Sequence, residues 1–139
     1  MPIIRHEMYK LHCEIKERLP TKMNVKNNIS ITDCKKDDTI KAGDSASTFV
    51  IDYTFTTDYA EGKGLIETKG KIFYLADSET AKELETMWEE KKMLTERVML
   101  EAGNFGLLKS QMQAVLLANE MGIQSPVRMP LMEPKPEEK

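Results

Sequence analysis

The first half of the chain alternates apolar and polar residues with a period of two, which is the pattern of β-strands that bury one face. Four such stretches follow one another, and the third is the most regular. The residues predicted to share the buried face are, in chain order, Tyr9, Leu11, Cys13 and Ile15; Val25, Ile29 and Ile31; Phe49, Ile51, Tyr53 and Phe55; and Ile66, Thr68, Ile72 and Tyr74. The pattern therefore predicts a four-stranded sheet with one apolar side.

The segments between these stretches contain residues that end strands. Pro20 ends the first stretch, a charged run that closes with Asp38 follows the second, and Gly62-Lys63-Gly64 predicts the turn before the fourth. Gly70, inside the fourth stretch, indicates a bulge or a close approach of another group to the backbone. Because the connections are short, we expect the strands to form an antiparallel meander.

The hydrophobic period changes from that of a strand to that of an α-helix after Asp77. Asp77 or Ser78 can cap the helix, and Glu79 is favourable near the positive end of the helix dipole. One face of this first, short helix carries the apolar residues Ala81, Leu84, Met87 and Trp88. This spacing predicts a helix that lies on an apolar surface.

A longer second helix is predicted after a break at Met93-Leu94. Thr95 can cap its start, and Gly122 can end it. Gly103 and Gly106 each weaken the helix by about 1 kcal/mol relative to alanine, so they predict a kink or a close helix contact. The apolar positions of this helix cover more than one side: Val98, Ala102, Phe105, Leu107, Leu108, Met112, Ala114, Val115, Leu116, Ala118 and Met121.

The length of the second helix suggests self-association. A helix from Thr95 to Met121 would be about 40 Å long at about 1.5 Å per residue. A compact chain of 139 residues has a radius of gyration near about 14 Å, so the helix would span the whole domain. We therefore expect part of its apolar surface to pack against another subunit in a symmetric homo-oligomer, either a dimer or a tetramer.

These elements predict an α+β fold in one domain, with a short and a long C-terminal helix packed on one face of the sheet. Residues 1–132 would form the domain, and the charged residues 133–139 a flexible tail. The composition, with 31% charged residues and a formal net charge of −3, gives no argument for a nucleic-acid partner. No apolar run is long enough for a membrane helix, and the charged start does not fit a secretory signal. We expect a cytoplasmic protein with reduced cysteines.

The last third of the chain is rich in methionine, a flexible side chain that adapts to differently shaped apolar partners. Seven of the ten methionines lie at or after Met87. Five residues in the break between the helices and in the C-terminal tail are candidates for a surface that binds apolar segments of polypeptide: Met93, Leu94, Met129, Leu131 and Met132. The alternative interpretation of each of them is burial in the core or in a subunit interface.

Candidate catalytic and metal sites find little support in the sequence. His12 and Cys13 point to opposite faces of a strand, and two histidines with two cysteines barely suffice for a structural zinc site, so no metal is expected. Gly62-Lys63-Gly64 lies between strands and lacks the spacing of a phosphate loop. Glu89 and Glu90 face outward on a helix, where catalytic work is not expected. We therefore expect that the protein binds no cofactor and is not an enzyme.

The order of elements, together with several short segments, resembles the SecB-like export chaperones. The segments are Gly70-Lys71-Ile72-Phe73-Tyr74, residues 83–92 with Trp88, Ala114-Val115-Leu116-Leu117-Ala118-Asn119-Glu120-Met121, and residues 126–132. The resemblance covers most of the chain, from Tyr9 to Met132, and rests on pattern without a catalytic motif. It implies a homo-oligomer that holds unfolded or nascent polypeptides in apolar grooves without using ATP.

The C-terminal tail departs from the pattern of the bacterial export members. Those members deliver clients to a translocation motor through an acidic sheet surface and a C-terminal tail, whereas residues 133–139 carry mixed charge. In this respect the sequence looks more similar to divergent SecB-like proteins, which include general holdases and proteins that protect an antitoxin. Two other functions fit the same apolar interior: a module that binds a small hydrophobic ligand, and an adaptor subunit whose tail docks on one fixed partner.

Overall fold

The computed structural model describes residues 2–37 and 46–126. Its elements are, in chain order, β1 (Ile3–Ile15), β2 (Val25–Asp37), β3 (Ala46–Tyr59), β4 (Gly64–Asp77), α1 (Ser78–Lys91) and α2 (Glu96–Met121). The four strands form one antiparallel sheet, and the two helices follow it in the chain. The predicted α+β architecture is confirmed.

The order of the strands in the sheet is β1-β4-β3-β2, so the predicted meander holds only for the last three strands. β1 pairs with β4 at the opposite edge from β2. The connection from Lys16 to Asn24 makes this possible because it passes around the turn between β3 and β4, where Lys16 N–H donates to the carbonyl of Lys63 and Ala60 N–H to that of Asn24. Leu19 and Met23 of this connection pack into the core, which holds the crossing chain against the sheet.

A bulge in β1 between Met8 and Lys10 changes which side of the sheet its first residues face. Tyr9 lies on the side away from the helices, with the Lys71 ammonium 5.7 Å from its ring centroid. The prediction that Tyr9 shares a face with Leu11, Cys13 and Ile15 is therefore wrong. The sequence pattern alone could not place the bulge, because a single added residue reverses the parity of everything before it.

Both helices cover the same side of the sheet, called here the helix side. The central strand β3 contributes its odd-numbered residues, of which Ile51, Tyr53 and Phe55 have no exposed surface. The core has two parts. One contains residues of α1 and the first half of α2, including Leu84 and Val98. The other contains residues of the second half of α2, including Ala114 and Ala118. The prediction that the helices pack on one face is confirmed.

The ends of α1 and α2 follow the predicted capping residues. The Asp77 carboxylate accepts a hydrogen bond of 2.8 Å from the Thr80 backbone N–H and so caps α1. Hydrogen bonding with Thr80 lowers the pKa of Asp77. Lys92 ends α1 in the left-handed conformation, and Gly122 ends α2 with φ of 70°. Thr95 occupies the predicted position before α2 in an extended conformation, but its side chain makes no capping hydrogen bond.

The side of α2 that faces the sheet consists of small residues spaced by four. They are Val98, Ala102, Gly106, Ser110, Ala114 and Ala118, and all six are buried. A Cβ on residue 106 would already lie 3.4 Å from the Cδ1 atoms of Ile29 and Ile72, so the helix lies close to the sheet. This confirms the predicted close contact at Gly106. The larger residues Leu108, Met112 and Leu116, predicted to belong to the same stripe, instead face away from the sheet.

Candidate functional site

A groove of about 310 Å³ opens between α1 and the edge of the sheet, and we call it the α1 groove. Cys34, Phe49 and Leu84, all buried, form its floor, and the half-buried Trp88 provides its accessible apolar surface. Four charged residues, Lys36, Glu85, Glu89 and Lys92, complete the lining. Apolar surface with charges around it is suited to holding an apolar segment while the complex stays soluble.

The lining residues come from three elements whose geometry brings them together. Leu84 and Trp88 are four residues apart on α1 and therefore lie on one face of the helix. Lys36 of the edge strand β2 pairs with Phe49 of β3. The backbone N–H of Lys92 donates a 2.9 Å hydrogen bond to the Trp88 carbonyl, and its ammonium lies 5.9 Å from the centroid of the indole ring. The left-handed end of α1 thus places a cation over the groove's aromatic residue.

Two electrostatic features of the groove are the raised pKa of the Cys34 thiol and an exposed ion pair on its rim. Burial raises the pKa of the Cys34 thiol to about 12, and the nearby Asp33 carboxylate adds to this effect. The thiol is therefore protonated and unreactive near neutral pH. On the rim, the Lys36 ammonium lies 3.9 Å from a carboxylate oxygen of Glu85, and both side chains are about half exposed. A pair so exposed contributes little to stability, so it can separate to admit a ligand.

A second apolar surface lies on α2, on the side opposite its small residues. We call it the outer face of α2, and it consists of Leu100, Leu108, Met112 and Leu116. These side chains are 57%, 59%, 56% and 58% exposed, respectively. Large apolar side chains that are this exposed on one helix are typical of a surface that binds a partner.

The edge strand β1 adds exposed apolar residues beyond this helix. Tyr9 and Leu11 are about half exposed, and Ile4 and Ile15 are also exposed. Among the described residues, β1 pairs with β4 on one side only, so its other edge is the edge of the sheet. In contrast, the other edge strand, β2, has charged residues near its end.

The structure separates the five residues predicted from sequence to bind polypeptide. Met93 is 57% exposed, directly after the end of α1. Leu94 is only 5% exposed and belongs to the core beside Leu84 and Val98, so in a single protomer it has no free surface. Met129, Leu131 and Met132 lie outside the described residues.

The α1 groove does not follow from the sequence pattern. The pattern identifies Leu84 and Trp88 only as part of the apolar face of a helix, and nothing in it shows that the sheet leaves part of this face uncovered. Cys34 follows a register shift between Ile31 and Asp33, so its place on the helix side could not be obtained by counting from Ile29 and Ile31. The single tryptophan next to a run of charged residues was the one signal that could have pointed to this region.

A buried polar pair under α2 is the other notable contact of the helix side. The Nε2 of His6 and the hydroxyl of Tyr53 share a hydrogen bond of 2.6 Å, and the Phe105 ring meets the imidazole edge-on at 5.3 Å. Burial lowers the pKa of His6, and the positive charge of Lys109 lowers it further. These contacts join β1, β3 and α2, and their role is structural.

The described part of the chain contains neither a group of potential metal ligands nor a helix that could cross a membrane. Within residues 2–37 and 46–126, no three His, Cys, Asp or Glu residues are grouped as metal ligands would be. In the same ranges, no helix combines the length and apolar character needed to cross a membrane. Comparison of the chain with protein-family models, curated proteins and solved structures finds no significant match.

Proposed function

We propose that this protein is an ATP-independent holdase that binds apolar segments of unfolded polypeptides in the α1 groove. The observation that carries the proposal is the composition of the groove, where the half-buried Trp88 lies beside a buried apolar floor and is surrounded by charges of both signs. The exposed Met93, which follows the groove residue Lys92, extends the apolar surface beyond the end of α1. Met93 therefore remains a proposed client contact.

The groove is better suited to variable polypeptide segments than to one small molecule. A specific ligand site needs a few polar groups that converge on the ligand from apolar walls. Here the charged residues of the lining are two lysines and two glutamates, all exposed. Flexible charged side chains can accommodate many sequences, whereas they cannot fix the orientation of a single ligand.

We further propose that the protein acts as a homo-oligomer, either a dimer or a tetramer, assembled through the outer face of α2. The four large apolar residues of this face lie on a helix of 26 residues, which measures about 39 Å at about 1.5 Å per residue. A second copy of the same face would bury them, as in a symmetric interface. Polypeptide binding and self-association then use different surfaces of the protomer.

The remaining elements of the proposal agree with the resemblance to SecB-like chaperones. A four-stranded antiparallel sheet with a short and a long C-terminal helix is the fold that this resemblance implied. We propose that the protein acts in the cytoplasm, where its two free cysteines would stay reduced. The proposed partners are unfolded or nascent polypeptides, and the proposed activity needs neither nucleotide nor metal.

The test is suppression of aggregation of several unrelated unfolded proteins at near-stoichiometric ratio, measured by light scattering. Trp88→Ser should reduce the suppression, because it removes the accessible aromatic side chain of the groove. Met87→Ser is the matched control, since Met87 is the neighbouring half-buried residue and lies outside this groove. Failure of the wild-type protein to suppress any aggregation, with its oligomer intact, would contradict the proposal.

A further inference from the structure

The chain that leaves α2 runs back along the edge strand β2 on the helix side. Ile123 packs in the same part of the core as Val25. The hydroxyl of Tyr59, which pairs with Val25, donates a 2.7 Å hydrogen bond to the carbonyl of Gln124. Two residues later, the side-chain amide of Asn27 donates a 3.0 Å hydrogen bond to the carbonyl of Pro126.

These two hydrogen bonds give the chain a direction. The Gln124 carbonyl is bound by the side chain that pairs with Val25, and the Pro126 carbonyl is bound by Asn27, two residues further along β2, so the chain advances in the same direction as β2. The anchor at Asn27 is firm, because its amide oxygen also accepts a 2.7 Å hydrogen bond from the Thr57 hydroxyl. Pro126 itself is buried. The chain therefore leaves the described region while tied down and pointed along β2.

The surface ahead of Pro126 is apolar and leads to the α1 groove. After Asn27, the residues of β2 on the helix side are Ile29 and Ile31, both only half-buried, and then Cys34 in the lining of the groove. Asn27 pairs with Thr57 and Cys34 with Ile51, and these two residues of β3 are six apart, or about 20 Å along a strand, because the shift between Ile31 and Asp33 takes up one residue of β2. Residues 127–132 span about 20 Å when extended, so they are long enough to reach the groove.

The sequence of this segment matches the surface in front of it. Residues 127–132 read Val-Arg-Met-Pro-Leu-Met, and in an extended chain Val127, Met129 and Leu131 share one side. Pro130 favours an extended conformation for the residue that precedes it. Three apolar side chains of the segment can therefore pack against the apolar surface formed by Ile29, Ile31 and the α1 groove.

We propose that residues 127–132 bind to the apolar surface that runs from Ile29 along β2 to the α1 groove of the same chain, and that they compete there with client polypeptides. The tail is then an intramolecular inhibitor that a client must displace. Tethering gives such a segment an effective concentration of about 1 mM or more, so even a weak interaction keeps the groove occupied for much of the time. The proposal rests on the proposed function only in naming the competitor as a client.

Trp88 provides a direct measurement of occupancy, because it is the only tryptophan of the chain and lines the groove. Removal of residues 127–139 should increase quenching of its fluorescence by acrylamide about twofold, since a segment tethered at about millimolar concentration covers the groove about half the time or more. Removal of residues 133–139 alone is the matched control and should leave the quenching unchanged. A full-length variant with Met129→Ser, Leu131→Ser and Met132→Ser should behave like the longer truncation.

Client binding provides the second measurement. Removal of residues 127–139 should tighten the binding of an unfolded client about two- to tenfold, because the competing segment is gone. Weaker client binding would mean that the tail contacts clients directly, and it would overturn the proposal. Unchanged Trp88 quenching in both the truncated and the triply substituted protein would overturn it as well.

Two further outcomes show which chain supplies the segment and whether the groove binds clients. In the full-length protein, quenching of Trp88 should not depend on protein concentration, and a dependence would assign the segment to another copy and overturn the proposal. If the truncation exposes Trp88 but neither protein suppresses aggregation, the tail does occupy the groove and the proposed holdase function alone is wrong.

Discussion

The phenol ring of Tyr53 lies directly over Gly70, its partner across the β3–β4 pair. A Cβ on residue 70 would lie 2.6 Å from the hydroxyl oxygen of Tyr53 and 2.7 Å from its Cζ. Tyr53 has no exposed surface and is held in place by its hydrogen bond with His6. Gly70 thus provides the space in which this large buried side chain of β3 fits.

We expect Gly70→Ala to destabilise the protein by about 1–3 kcal/mol, because the added methyl group would overlap a buried ring that cannot move aside. The free energy of unfolding, measured by urea denaturation, checks this value. Gly103→Ala is the control, because the nearest atom to its Cβ is the mobile Cε of Met99 at 3.3 Å. That substitution should stabilise α2 by up to about 1 kcal/mol. Equal effects of the two substitutions would contradict the role assigned to Gly70.

The stability of the protein should fall in mild acid because of His6. Burial, with a further effect of Lys109, lowers its pKa below the ordinary value of 6.5. The unfolded chain therefore binds more protons than the folded one in the window below this value. The contribution of His6 to stability is fully present above about pH 6.5 and is lost as the pH falls through the lowered pKa.

Urea midpoints measured across this window test the role of His6. In His6→Gln, whose amide can also bond to Tyr53, the decrease of the midpoint between about pH 7 and about pH 5 should be smaller than in the wild type. His12→Gln is the matched control, because His12 lies on the exposed part of the same strand and its imidazole bonds to Glu14. If His6→Gln and the wild type show the same pH dependence, the effect comes from other groups.

The two free cysteines should react at different rates. Burial raises the pKa of Cys34 to about 12, and the residue is only 7% exposed. Cys13 is half-buried, and burial also raises its pKa. We expect the Cys13→Ser variant, which retains only Cys34, to react slowly with a thiol reagent in the native protein. The Cys34→Ser variant, which retains only Cys13, should react faster. Both variants should label equally fast in urea, and equal rates in native buffer would show that Cys34 is accessible.

The outer face of α2 should decide the oligomeric state. Leu108→Glu combined with Met112→Glu places two charges on a surface that we propose to be buried between subunits, so the complex should dissociate to a protomer of 15.9 kDa. The fold should remain, because both side chains are more than half exposed in the protomer. Light scattering coupled to gel filtration measures the mass, and circular dichroism the fold.

The control for this experiment is Lys82→Glu, which changes the net charge by the same amount at an exposed position of α1. It should leave the mass unchanged. A wild-type protein that is already a monomer at micromolar concentration would contradict the proposed assembly, whatever the variants do.

Much of the fold could be predicted because local chemistry determines it. The alternation in β3, the Asp77 cap and the Gly122 end of α2 each depend on residues that are close in sequence, and each lies where the pattern indicated. The place of β1 in the sheet could not be predicted in this way. It depends on Leu19 and Met23 packing under the β3–β4 turn, a contact between distant parts of the chain.

The two candidate binding surfaces, the outer face of α2 and the α1 groove, were likewise predictable only in part. The sequence by itself determined that α2 is a long helix with apolar residues on several sides, since composition and spacing require no partner. Only the tertiary structure decided which side faces the sheet, because the close approach at Gly106 admits the row of small residues and leaves Leu108, Met112 and Leu116 outside. The α1 groove also depends on the tertiary structure. The space beside Trp88 is set by the distances between α1, β2 and β3, which the sequence of one element alone does not determine.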